Sequence, residues 1–148
     1  MRRAPRVRVQ SHVRGLDPRT IRRRARTMLQ AAKRTDRELS ILLCGTAEMT
    51  TLHEAWLGER GPTDVLSFPQ RDGPLGDVVL CVPVLRANAR RYGWTLLVEA
   101  TRMLAHGILH LCGRDHRTPA EERRMDREAR ALVAAVEKGR PNRRSARG

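Results

Sequence analysis

The chain has 148 residues, of which 40% are hydrophobic and 3% aromatic, and it carries a formal net charge of +14. This length and apolar content predict one globular domain over residues 1–138, followed by a basic, disordered tail over 139–148. No apolar run approaches the roughly 20 residues that a membrane span needs, and no signal peptide is evident, so we expect a cytoplasmic protein without a membrane partner. The charge favours RNA or DNA as a partner, although a general use of arginine along the chain would also produce it. The low aromatic content argues against a base-stacking platform.

Strand and helix patterns alternate along most of the chain. Val7 and Val9 alternate with arginines and predict a first short strand. Asp17 followed by Pro18 is typical of a helix N-terminus. Further strands are predicted over 38–45, 64–68 and 77–82, further helices over 47–58, 83–92 and 95–112, and a last helix from the capping box at 118–121. The pattern predicts an α+β fold of about four short strands and about five helices in a single domain, with the largely apolar helix 95–112 at its centre.

The cysteines Cys44, Cys81 and Cys112 are scattered along the chain and include no CxxC pair. An odd and scattered set is typical of reduced thiols rather than of a disulfide framework. Cys112 lies in the histidine-rich stretch described next. There it either joins a metal site or packs as a small residue on the inner side of the helix, and we favour the second interpretation.

The stretch HGILHLCGRDH, residues 106–116, contains three of the five histidines of the chain. His106 and His110 are four residues apart on the central helix, so both rings leave the same face about 6 Å apart along the axis. Gly113 can end the helix in the left-handed conformation and let the chain bring His116 back towards the other two. Three neutral imidazoles that converge from one side suit zinc and leave a fourth position for water, as in catalytic sites. The sequence therefore predicts one zinc ion bound by His106, His110 and His116.

The spacing of this stretch matches the zinc-protease pattern HExxHxxGxxH with one difference. The glutamate that acts as general base in that pattern is replaced by Gly107. Peptide hydrolysis by that route therefore lacks its proton acceptor, whereas a bound ion can still lower the pKa of water and polarise a phosphoryl oxygen. The alternative for any histidine is a hydrogen-bonded core residue, and this is the interpretation that we give to His12 and His53.

A second set of motifs completes a resemblance to a known family. In order and spacing, GPTDVLSFP (61–69), LGDVV (75–79) and HGILHLCGRDH resemble the YbeY family of bacterial rRNA-maturation endoribonucleases, over roughly residues 38–136. The resemblance implies a mixed sheet flanked by helices and a zinc-dependent, single-strand-specific RNA cutter with the three motif histidines on the metal. It also implies action in 16S rRNA 3′-end processing and in quality control of the small ribosomal subunit. The expected partners are single-stranded RNA, the 16S rRNA precursor, and the small ribosomal subunit with its associated proteins.

Two positions depart from the pattern of the family. Members carry an arginine six residues ahead of the threonine of PTDVLSF, where this chain has Leu57, and an asparagine where it has His53. Arg60 follows shortly after Leu57 and is our candidate for neutralising charge on the scissile phosphate in the transition state. Asp115, beside His116, either orients a ligand imidazole or accepts a proton, or else it is a turn residue bonded to its own backbone.

Two other functions are compatible with the sequence. Leu57 favours a ribosome-assembly factor that binds pre-ribosomal RNA or a ribosomal protein, with a mainly structural zinc ion and weak or no cleavage. The basic surface could also be incidental to a metal-dependent hydrolase of another substrate. Incubation with single-stranded RNA, with and without chelator, distinguishes a nuclease from an assembly factor. A steep salt dependence of RNA affinity argues against a hydrolase of another substrate.

Overall fold

The computed structural model describes residues 4–114 and 116–138. The predicted tail over 139–148 and the candidate residue Asp115 lie outside the described residues. In chain order the elements are β1 Val7–Ser11, α1 Pro18–Ala31, β2 Leu39–Cys44, α2 Thr46–Leu57, β3 Val65–Pro69, β4 Gly76–Cys81, α3 Val82–Tyr92, α4 Leu96–Leu111 and α5 Pro119–Lys138. The predicted α+β fold is confirmed, with small shifts at the ends of the elements. No helix in the described part of the chain is long and apolar enough to cross a membrane.

The four strands form one mixed sheet in the order β1–β2–β4–β3. β1, β2 and β4 run parallel, whereas β3 is antiparallel to β4 and lies at the edge. Parallel neighbours need a crossover connection, which α1 supplies between β1 and β2. The antiparallel pairing places Ser67 of β3 opposite Val78 of β4, and both residues lie beneath the helix that carries the histidines.

The two faces of the sheet contribute to different hydrophobic clusters because side chains alternate along each strand. Val78 and Leu80 of β4 belong to the main core, to which α1, α4 and α5 also contribute. Val79 and Cys81 belong to a smaller cluster with residues of α2. Each fully buried aliphatic side chain contributes roughly 1.5–3 kcal/mol, so the larger cluster supplies most of the stability and fixes α4 against the sheet.

Helix α4 lies against β3 and β4 and is flanked by α1 and α5. Its residues Leu104 and Ile108 are fully buried, as expected for the central helix. The buried Arg24 of α1 donates to the Thr101 hydroxyl at 2.7 Å. Since a buried polar group costs free energy unless it is hydrogen-bonded, this contact favours one arrangement of α1 and α4. The N-terminal half of α4 is thereby held at a defined place beside α1.

Helix α2 differs from the sequence-based expectation at one position. The spacing of Met49, Leu52 and Trp56 predicts one shared apolar side, but Met49 is fully buried whereas Trp56 is 69% exposed. The Trp56 ring contacts Phe68 edge-on, with the ring centroids 6.0 Å apart. The helical period gives the direction of a side chain correctly, but it does not show where the sheet beneath the helix ends.

Candidate metal centre

The C-terminal end of α4 has the geometry that the glycine at position 113 predicts. Gly113 has a φ of 88°, a left-handed conformation that glycine adopts without steric cost. Its N–H donates to the His110 carbonyl at 3.0 Å, and the Arg114 N–H donates to the Leu109 carbonyl at 3.0 Å. These two bonds form a Schellman motif. The motif ends α4 and reverses the chain, so that the following loop returns His116 to the face that carries His110.

The three predicted histidines come together at this end of the helix. One ring nitrogen from each of His106, His110 and His116 lies within 4.8 Å of the other two. The Nε2 atoms of His106 and His110 are 3.2 Å apart. Two nitrogens that bind one tetrahedral zinc ion, each at about 2.0–2.1 Å from it, lie roughly 3.3 Å apart. The two helix histidines therefore have the separation of zinc ligands, and His116 lies at the third corner.

Burial favours the neutral form of His106. Its pKa is lowered from the ordinary value of 6.5, mainly because burial disfavours the charged ring and secondly because of the charge of His116. The carboxylates of Asp64 and Asp126 act in the opposite direction. Only the neutral ring offers a lone pair to a metal ion. His106 therefore stays competent for metal binding to a lower pH than an ordinary histidine.

The donor set fits a divalent transition-metal ion. Imidazole nitrogens suit zinc, copper, iron and nickel, whereas calcium and magnesium prefer oxygen. Three protein ligands are also the number found at catalytic zinc sites, where the fourth position stays open. Within residues 4–114 and 116–138, no other cluster of His, Cys, Asp or Glu has three members close enough to hold an ion. The chemistry of the site thus agrees with the sequence-based expectation of a metal.

Cys112 lies near the histidines but is not a member of their group. It is half-buried and packs against the main core, and burial raises the pKa of its thiol. A raised pKa keeps the sulfur protonated, whereas a metal ligand must be a thiolate. The interpretation of Cys112 as a small packing residue is therefore the better one, and all three cysteines are free thiols.

The loop that carries His116 is fixed at both ends to α5. The Arg114 Nε donates to Glu128 Oε2 at 3.0 Å and lies 2.9 Å from Oε1 of the same carboxylate. At the other end, the Thr118 hydroxyl accepts the Glu121 N–H at 3.1 Å, as the predicted capping box requires. The position of His116 therefore depends on how α5 packs against α4, which places Arg114 among the positioning residues of the site.

Gly107 faces the sheet, at the position where the zinc-protease pattern has its glutamate. A Cβ at this position would lie 3.0 Å from Val78 Cγ1 and 3.1 Å from Ser67 Oγ. The Ser67 hydroxyl donates to the Gly107 carbonyl at 3.2 Å. Helix α4 thus approaches β3 and β4 so closely that a larger side chain at position 107 would require Val78 or Ser67 to shift by a few tenths of an ångström.

Arg60 lies in the loop between α2 and β3, where its side chain is exposed. His53 anchors this loop, because its Nδ1 donates to the Gly61 carbonyl at 2.8 Å and its Nε2 lies 3.0 Å from Glu59 Oε2. The contact with the Gly61 carbonyl fixes the backbone directly after Arg60, whereas the contact before Arg60 involves only the exposed carboxylate of Glu59. The hydrogen-bonded role expected for His53 is confirmed, and it supports the loop that carries the candidate arginine.

Sequence reasoning missed Asp126, whose charge reaches His106. Asp126 lies on α5 and follows the buried Met125. Its proximity to His106 arises only from the packing of α5 against α4, so no local motif marks it. Asp126 directly follows Met125, which faces the core. This neighbouring position is the signal in the sequence that could have indicated Asp126.

A mixed sheet with three convergent histidines at the end of its central helix defines a class of small α+β proteins with a potential metal site. A family model described as "Endoribonuclease YbeY" matches residues 7–137, which is most of the chain. The chain belongs to the YbeY family. The motifs that carried the resemblance in the sequence, including the three histidines, lie within the matched range.

Individual relatives and a solved structure agree with this assignment. The chain is 49% identical over 102 residues to Endoribonuclease YbeY of Leifsonia xyli subsp. xyli. This matched region covers 61% of this chain and 67% of the relative. It is 43% identical over 122 residues to Endoribonuclease YbeY of Anaeromyxobacter sp. (strain Fw109-5), and the matched region covers 79% of this chain and 64% of the relative. These matches span about two thirds of the length of each relative. The solution structure of TM1509 from Thermotoga maritima matches with a TM-score of 0.66 and 25% identity over 88% of each chain.

Proposed function

We propose that this chain is a metal-dependent endoribonuclease that cuts single-stranded RNA. The observation that carries the proposal is the convergence of three imidazoles within 4.8 Å, in a family described as "Endoribonuclease YbeY". We assign the activity to a single cytoplasmic domain over residues 1–138. We propose that its substrate is the 16S rRNA precursor, which it would cut during 3′-end maturation and in quality control of the small ribosomal subunit. The net charge of +14 supports a polyanionic substrate.

We propose zinc as the resident ion, held by His106, His110 and His116. When bound, zinc would lower the pKa of a water molecule and polarise a phosphoryl oxygen. The chain contributes two nitrogens from a rigid helix and a third from a loop fixed at both ends. Because the three donors come from one side, the opposite side is left for the phosphate of an RNA strand.

Two further roles are proposed on sequence grounds. Arg60 would contact a non-bridging oxygen of the scissile phosphate and offset the negative charge that grows in the transition state. The His53 anchor supports this role, since a fixed backbone lets a long side chain reach the substrate from a defined origin. Asp115, next to His116 in the sequence, would orient a ligand imidazole or accept a proton.

Cleavage of an RNA fragment that spans the 3′ end of the 16S rRNA precursor tests the proposal. Purified protein is assayed with zinc, with chelator, and with chelator followed by excess zinc. We expect cutting of single-stranded RNA that chelator abolishes and zinc restores, and resistance of a duplex of the same sequence. Cleavage that survives complete metal removal, or no cleavage by metal-loaded protein, would contradict it.

Leu57 supports a second candidate function. It stands where the family's pattern implies an arginine, and it is 55% exposed beside Trp56, which is 69% exposed. Neighbouring exposed apolar side chains are typical of a contact with another macromolecule. This suits a ribosome-assembly factor that binds pre-ribosomal RNA or a ribosomal protein with little cleavage. RNA binding without cleavage by the metal-loaded protein, together with cleavage by a Leu57→Arg variant, would favour this function over the nuclease.

A further inference from the structure

A groove of about 560 Å³ lies between α4 and α5, and His106 forms part of its wall. Met103, Ala129 and Val133 also line it, and these three side chains are half-buried and pack against the main core. They form an apolar floor. Because Met103 precedes His106 by about one helical turn, the groove extends from the candidate metal centre towards the N-terminal end of α4.

The groove has cationic side chains on both of its sides. Arg102 lies on α4 and Arg130 on α5, and among the residues that the structure describes the one acidic side chain in the lining is Asp126. The Arg130 Nε donates to the Asp126 carbonyl at 3.3 Å, which directs its guanidinium back along α5 towards the histidine end. The charge of the groove therefore favours an anionic ligand that also contacts the candidate metal centre.

Arg102 is held by its neighbours in a defined orientation. Its guanidinium carbon lies 4.7 Å from the centroid of the Trp94 ring, and its Nε lies 4.0 Å from Glu99 Oε1. Glu99 is buried and accepts the Trp94 indole N–H at 3.0 Å. A guanidinium stacked on a ring keeps the N–H donors at its edge for a phosphate. Less side-chain entropy is lost on binding when the group is already ordered.

We infer that this groove binds the RNA strand next to the scissile phosphate, with Arg102 and Arg130 on backbone phosphates. The inference rests on the proposed nuclease function and extends it to the path of the substrate. The backbone of Arg102 lies four residues before His106, about 6 Å along the axis, and its guanidinium lies further from His106, on the Trp94 ring, so we expect it to contact a phosphate beyond the one next to the scissile bond. The apolar floor accepts the ribose and the base face, while the arginines on the two sides take the phosphates. A groove between two packed helices would hold one extended strand along its length.

The test uses two variants and a matched control. The variants are Arg130→Ala and the double variant Arg102→Ala/Arg130→Ala. The control is Arg127→Ala, which removes the same charge from the exposed side of α5 outside the groove. Equilibrium binding of a labelled single-stranded RNA is measured at a series of salt concentrations, together with KM, kcat, zinc content and melting temperature.

We expect the double variant to bind RNA roughly tenfold more weakly, and the slope of log affinity against log salt to fall by about 0.7 for each arginine removed. KM should rise in parallel, while kcat and zinc content stay at the wild-type level. Arg130→Ala should show about half of the change in slope. Because this side chain is exposed, the variant tests the groove even if loss of Arg102 disturbs the packing around Trp94.

Affinity and salt slope equal to those of Arg127→Ala would overturn the inference and leave the nuclease proposal standing. A fall in kcat at unchanged KM would also overturn it, since a phosphate-binding role predicts the reverse. If the wild type fails to cut RNA, the nuclease proposal fails separately, and the binding measurements still decide the groove. A wild type that does not bind RNA overturns both.

Discussion

The histidines of this chain form two groups that differ in what their ring nitrogens face. In the first group the neighbours are oxygen atoms. The His12 Nδ1 lies 2.9 Å from Glu48 Oε1, and the His53 ring bridges the Gly61 carbonyl and the Glu59 carboxylate. These rings are held as hydrogen-bond donors, and they tie loops and helices together.

In the second group the ring nitrogens face one another. The Nε2 atoms of His106 and His110 are 3.2 Å apart, and His116 completes a group within 4.8 Å. Protonated rings at this distance repel one another, whereas neutral rings are stabilised when a metal cation lies between their nitrogens. The contrast shows that the surroundings of the rings, rather than their number, identify a candidate metal site.

Removal of a proposed ligand should separate the two groups most sharply. We expect His110→Ala to lose its bound zinc and all RNA cleavage, because two imidazoles are too few to retain the ion. His12→Ala is the control, since its partly exposed ring is paired with Glu48, and it should keep both. Plasma emission after dialysis measures the metal. One equivalent of zinc retained by His110→Ala would remove His110 from the site.

A glutamate at position 107 should have the next largest effect. Gly107→Glu completes the zinc-protease pattern, but its Cβ would lie 3.0 Å from Val78 Cγ1. We expect a loss of about 1–3 kcal/mol in the free energy of unfolding from overpacking, and no peptidase activity. The control is Gly45→Glu, where a Cβ meets nothing within 4 Å. Urea unfolding compares them, and equal stability of the two variants would show that α4 does not need the glycine.

The stability of the metal-free protein should depend on pH through His106. Its pKa in the folded chain is lowered from 6.5, so the unfolded chain takes up this proton first as the pH falls. Stability should therefore decrease from about pH 6.5 down to the lowered pKa, and this contribution should be constant above pH 6.5. Urea midpoints across this range, for the wild type and His106→Asn, measure the difference. Parallel pH profiles of the two proteins would contradict the assignment.

The smallest effect is expected at the loop that carries His116. Arg114→Ala removes the contact with Glu128, and we expect metal affinity to fall by only a few-fold, because a partly exposed ion pair contributes less than about 1 kcal/mol. Arg124→Ala is the control, since Arg124 also pairs with Glu128, at 3.2 Å, but lies within α5 itself. Competition with a chromophoric chelator measures the affinities. Equal effects of the two substitutions would mean that the Arg114 contact does not position His116.

The parts of the fold that the sequence predicts are those that local chemistry determines. Gly113 predicts the left-handed helix end, the Thr118 cap predicts the start of α5, and the apolar circumference of 95–112 predicts the central helix. For the same reason the convergence of the histidines was predictable: it needs one helical spacing and one chain reversal, both encoded within eleven consecutive residues of the sequence.

The remaining features depend on contacts between distant segments. The sequence shows that Gly107 replaces the catalytic base of the zinc-protease pattern, and only the approach of α4 to Val78 and Ser67 shows that a larger residue there would have to displace these neighbours. Asp126 and the groove it lines exist because α5 packs on α4. Neither periodicity nor motif spacing carries information on that packing, so the path proposed for the RNA could come only from the structure.

A crystal structure of the zinc-loaded protein, with anomalous data collected at the zinc edge, tests the central claim most directly. We expect one strong peak at about 2.0–2.1 Å from a ring nitrogen of each of His106, His110 and His116, with a fourth position facing solvent. A metal-saturated crystal in which the peak lies elsewhere, or in which these three rings point away from one another, would contradict the assignment of this site.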